Sequence, residues 1–148
     1  MYDILKASIN YRKERIKMIN TKELLDKIFA DGGFSVQVAS GSIPSSGYMV
    51  SIQGCEEVYY SEDVTDDTIP GYITRHVKQL LLPGAYLGAW LDGSKVYLDI
   101  SINVASLEDA LNLARNNSQL AIYDISSGDS IYLAEVKPAV NLAEVTIR

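Results

Sequence analysis

Cys55 and His76 are the chain's only cysteine and only histidine, so nucleophilic or metal chemistry would begin with them. A cysteine nucleophile needs a lowered thiol pKa and a base within reach. Cys55 instead precedes Glu56 and Glu57, whose charges oppose thiolate formation. His76 has no Cys or second His at metal-ligand spacing and reads as a solvated or packed histidine beside Arg75. There is no P-loop, no G-x-G-x-x-G and no G-x-S-x-G. Gly84 and Gly88 are wrongly spaced for a phosphate cradle and read as turn and strand-packing glycines. The expectation is a protein that is not an enzyme, with no cofactor and no metal.

Carboxylates are what the sequence does concentrate. Glu56, Glu57, Glu62, Asp63, Asp66 and Asp67 fall within twelve residues, interleaved with Tyr59 and Tyr60 and followed by Tyr72. No Lys or Arg occurs from residue 28 to residue 74. The run Asp63-Val-Thr-Asp66-Asp67 lacks the alternating ligands, central glycine and closing Glu of a calcium loop. Tyrosine supplies hot-spot area and carboxylates steer association, so the combination suits a basic protein partner. A dense carboxylate array also imitates nucleic-acid phosphates. These nine residues form the expected partner-binding set, with the three tyrosines expected to be exposed. The competing reading is an ordinary solvated acidic face, with Asp66 and Asp67 at the positive end of a following helix.

Formal net charge is −6, and it is unevenly spread. Residues 1–18 hold Lys6, Arg12, Lys13, Arg15 and Lys17 against Asp3 and Glu14. Residues 19–148 hold eight Lys/Arg against seventeen Asp/Glu, a net of −9. So acidic a domain is a poor general nucleic-acid binder. The arm reads either as a frayed, solvated helix or as a nucleic-acid contact through Arg12, Lys13, Arg15 and Lys17, guide RNA included. One thiol builds no disulfide framework, no apolar run spans a bilayer, and the N-terminus has no signal-peptide h-region, so the expected location is cytoplasmic.

The elements that must position these residues follow from periodicity and punctuation. Residues 4–18 can form a weakly periodic helix, so the expected organisation is a basic N-terminal arm or helix over 1–18 and a single acidic domain over 19–148. Asn20, Glu23 and Gly32-Gly33 bound a helix over 21–31, with Leu24, Leu25, Ile28 and Phe29 at helical spacing. Strands are expected at 34–39, 48–52 and 57–61. A helix then begins at Asp67 or Thr68, with Pro70 in its first turn and Ile69, Ile73, Val77, Leu80 and Leu81 as its stripe. Asp92-Gly93-Ser94 joins strands 85–91 and 95–104 into a hairpin. Ser106 and Asp109 cap the next helix, and a second hairpin turns around residues 126–129. Tyr86, Trp90, Tyr97, Tyr123 and Tyr132 fall on the hairpins as core or sheet-face residues. Residues 137–148 read as a tail, with an edge strand at 143–147. The fold class is α+β: a mixed, mostly antiparallel sheet of hairpins packed by two or three helices.

Five segments also carry a resemblance: Gly32-Gly33-Phe34-Ser35-Val36, residues 46–51 (SGYMVS), residues 83–90 (PGAYLGAW), residues 95–101 (KVYLDIS) and residues 119–124 (QLAIYD). Across about residues 20–133 the chain resembles a family of small proteins carried by phages, prophages and other mobile elements of Gram-positive bacteria. The family carries no assigned activity, so the resemblance implies no catalytic residue. Small acidic phage proteins without active sites often block host defence, an analogy of class. RNA-guided nucleases hold nucleic acid in a positively charged channel. The implied function is a stoichiometric anti-CRISPR-type inhibitor in the host bacterial cell, whose acidic, tyrosine-bearing surface competes for such a channel. The alternative is a non-inhibitory phage housekeeping or adaptor module.

Overall fold

The computed structural model of the chain describes residues 19–136. The helix expected over 4–18, the basic arm and the tail after residue 136 lie outside the described residues.

Helix α1, Thr21–Asp31, starts where Asn20 Oδ1 accepts the Glu23 backbone N–H at 3.2 Å. It stops at Gly32, whose left-handed φ of 86° lets its N–H reach the Ile28 carbonyl. Strands β1, Gly33–Val36, and β2, Tyr48–Ser51, follow, then β3, Glu57–Tyr60, and a 3-10 turn, Ser61–Asp63. The single helix expected from Asp67 or Thr68 is two: α2, Thr68–Arg75, and α3, Val77–Leu80, break at His76, where φ is −116° and ψ 22°. His76 is drawn aside there by a side-chain bond to Glu57. The hairpin of β4, Ala85–Asp92, and β5, Lys95–Val104, turns on Gly93-Ser94. Gly93 has a φ of 59°, as the first loop position of a II′ turn requires. Ser106 Oγ caps α4, Leu107–Asn116, by accepting from the Asp109 N–H, and β6, Ala121–Asp124, with β7, Asp129–Tyr132, makes the last hairpin.

All seven strands join one sheet in the order β1-β4-β5-β2-β6-β7, with β3 also on β5, and every pairing is antiparallel. The fold is α+β, as expected. β5 organises it. One side of β5 pairs along β4; the other takes β3 at Lys95–Leu98 and β2 at Ser101–Val104, end to end. Between β2 and β3 the chain loops out through Gly54 and Cys55.

Alternation along β4 and β5 sends Leu87, Ala89, Val96, Leu98 and Ile100 to one face, where they pack with Leu24, Ile28, Ile69, Tyr72, Ile73 and Leu80 of the helices. Val50 and Ile122 meet α4 on that same face through Ala110, Leu111 and Ala114. Among the described residues the opposite face carries no helix. It presents Val58, Tyr60, Trp90, Tyr123 and Tyr132, all more than a third exposed. The hairpin aromatics are therefore sheet-face residues rather than core. No helix of the described residues is long and apolar enough to cross a membrane.

Candidate binding surface

The nine residues expected to bind a partner separate into two groups. Glu62, Asp63, Asp66 and Asp67 are exposed and lie together at one end of the sheet. That end is built from the Gly93-Ser94 turn, the 3-10 turn after β3 and the starts of α1 and α2. The Ser61 N–H bonds the Ser94 carbonyl at 2.8 Å, and Lys22 of α1 reaches Asp66 at 3.8 Å. Both Lys22 and Asp66 are well exposed, so water screens that ion pair. Tyr60 lies beside this end, exposed, with Lys95 Nζ 5.9 Å from its ring centre. Glu56 is also exposed but precedes the other end of β3, about 10 Å of strand away.

Glu57, Tyr59 and Tyr72 do not belong to a free surface. Arg75 donates to Glu57 through Nη2 to Oε1 at 2.6 Å and through Nε to Oε2 at 3.2 Å. His76 Nε2 lies 2.5 Å from Oε2, and the Tyr59 hydroxyl also donates to this carboxylate. The Arg75 bonds hold the Glu57 carboxyl well below the usual range, at about 2, against the opposing push of partial burial. Tyr59 stands opposite Val96, so its ring turns to the helix side of the sheet. Tyr72 is completely buried, and its hydroxyl donates to the Cys55 carbonyl at 2.6 Å. The expectation that Tyr59 and Tyr72 edge an exposed patch is corrected: the alternation of β3 and the inner stripe of α2 take both rings to the core. The acids that remain outward are Glu56, Glu62, Asp63, Asp66 and Asp67.

Cys55 is buried at 4% exposure, and burial first, then the Asp99 carboxylate, pushes its thiol pKa up. The opposing charge is thus Asp99, not the adjacent Glu56 and Glu57. No group of three or more His, Cys, Asp or Glu among the described residues could hold a metal ion.

Sequence reasoning missed the face that carries no helix among the described residues. Trp90 on β4 and Tyr97 on β5 stack at 5.1 Å with planes 1° apart. Beside them runs a groove of about 670 Å³, lined by Ser35, Met49, Ser51, Gly88, Trp90, Asp99, Ser101 and Tyr123 among others. Asp99 is the buried charged residue of the described chain, 6% exposed, and accepts the Ser51 hydroxyl at 2.7 Å. Burial raises its pKa; the Ser51 and Ser101 hydroxyls pull it down and nearby Glu56 pushes it up. The signal was faint: Asp99 sits at a polar position of an alternating strand and looks like any solvent-facing acid.

Among the described residues, an antiparallel sheet with helices on one face, an acidic end and an aromatic opposite face defines an α+β domain. No family model, no curated protein and no solved structure matches the chain.

Proposed function

We propose that the chain is a phage-encoded stoichiometric inhibitor of a host defence nuclease, of the anti-CRISPR type, acting in the cytoplasm of the host cell. Its acidic end would compete for a basic nucleic-acid channel. The observation that carries this reading is the clustering of Glu62, Asp63, Asp66 and Asp67 on one exposed end, with the distant Lys22 contact as the one ion pair made by these acids among the described residues. Such an end projects a negative field at a positively charged groove and gives fast, salt-sensitive association. Tyr60 adds aromatic contact area at its border. The resemblance to proteins of phages and mobile elements supplies the biological class, and Arg12, Lys13, Arg15 and Lys17 would contact guide RNA in the complex.

The deciding experiment is co-purification with RNA-guided nuclease effectors, with and without guide RNA, using the native chain and a variant with all four acids changed to lysine. The native chain is expected to be retained and to inhibit cleavage at a one-to-one ratio, and the variant to do neither. Full inhibition by the lysine variant overturns the mechanism. Retention of some other protein, with no effect on a nuclease, makes the chain an adaptor.

A further inference from the structure

We infer that the groove on the helix-free face of the sheet is a site for an arginine side chain presented by a protein partner. Asp99 Oδ2 accepts the Ser51 hydroxyl, which itself lies 3.4 Å from the Ser101 hydroxyl. The other oxygen, Oδ1, lies over Gly88 of the neighbouring strand, 2.3 Å from where a Cβ would stand. Glycine at that position is what leaves the carboxylate room and opens it to the groove. Among the described residues no Lys, Arg or His lines the groove, and no ion pair involves Asp99. A buried carboxylate held only by neutral hydroxyls is costly, and a cation arriving from outside supplies the missing partner.

The walls choose the cation. Trp90 and Tyr123 line the groove and are 38% and 44% exposed, with Trp90 braced by Tyr97. A guanidinium stacks flat on aromatic faces and offers paired N–H donors to one carboxylate; an ammonium is a point charge and does this less well. Asp31 on the groove lining and Glu56 near Asp99 add negative potential that draws a cation in. At about 670 Å³ the groove admits several residues of a partner's chain around that arginine. The inference rests on the proposed basic partner for the arginine's owner, but its test does not need that partner.

Trp90 is the chain's only tryptophan, so its emission reports directly on the groove. The full chain is titrated with acetyl-Gly-Arg-Gly-amide and with the same peptide carrying citrulline, the neutral isostere. A saturable change with arginine, weaker by about tenfold or more with citrulline, is expected. Asp99→Asn is expected to lose a similar factor, and Tyr123→Ala, at an exposed position, roughly threefold. Should Asp99→Asn not fold, Tyr123→Ala carries the test. Equal binding of both peptides, or arginine binding unaltered in a folded Asp99→Asn or in Tyr123→Ala, overturns the assignment. Arginine binding together with full inhibition by the four-lysine variant removes the acidic-end mechanism and leaves the groove. The reverse pattern removes the groove alone.

Discussion

Arg75 reaches back eighteen positions along the chain to clasp Glu57 at two points, 2.6 and 3.2 Å apart from its oxygens. A residue that the sequence offers to a partner is thereby spent on fastening α2 to the edge strand β3. Of the six acids in the stretch Glu57 fastens the fold and the other five are exposed, and variants separate the two roles.

Glu57→Gln is expected to lower stability by on the order of 1 kcal/mol, the gain of the ion pair being discounted because Arg75 is half exposed. The pH dependence has a definite sign. The folded pKa of Glu57 is depressed from 4.5 to about 2, so its contribution is present above the ordinary value and lost as pH falls through about 2. Urea midpoints of the native chain and of Glu57→Gln should differ by a constant amount from neutral pH to about 5 and converge below that. A gap that stays constant down to pH 2 counts against the pairing.

Tyr72→Phe removes the donor to the buried Cys55 carbonyl. A loss of about 1–2 kcal/mol is expected, because that carbonyl is left without its partner. Partner capture should be untouched, since Tyr72 does not reach the surface. Denaturant melts and a pull-down with the same variant check both halves.

Cys55 should resist thiol reagents in the native state and react at once on unfolding, since it is buried and its pKa is raised. Labelling with iodoacetamide across a urea series is expected to follow the unfolding curve. Cys55→Ala and His76→Ala are expected to retain whatever inhibition the native chain shows, and loss of inhibition in a folded variant would point to chemistry at those residues.

Gly32 and Gly33 should differ sharply on substitution. At Gly32, with φ 86°, a Cβ meets nothing within 4 Å, so Gly32→Ala pays only for the left-handed backbone, about 1 kcal/mol. At Gly33, with φ 154°, a Cβ would stand 2.2 Å from the Ala89 carbonyl oxygen. Gly33→Ala therefore strains β1 away from β4 and is expected to cost several times more, about 2–4 kcal/mol, read from thermal or urea melts.

Local signals made much of the fold legible. Asn20 and Gly32 bound α1, Ser106 and Asp109 open α4, and Gly93 turns the long hairpin. Each of these rests on a residue acting within four positions of itself. What escaped depends on distance along the chain. Arg75 and Glu57 meet only after α2 folds back, and His76, where the expected helix breaks, bonds the same carboxylate. Tyr72 carries a polar tip that reads as surface, yet the bulge after β2 brings it a carbonyl to bond. Asp99 shows its burial only when Gly88 and Ser51 are set beside it from other strands.

β5 takes its neighbours from segments as far apart as Tyr48 and Ala85, and β1 waits some fifty residues for β4. Closing such loops costs entropy before any burial offsets it, so the β4–β5 hairpin is the natural template on which β1, β2 and β3 settle afterwards. Folding slower than that of a helical bundle rich in local contacts is therefore expected. The acidic end, which draws on α1, α2 and that same hairpin turn, comes into being only when the last of them arrives.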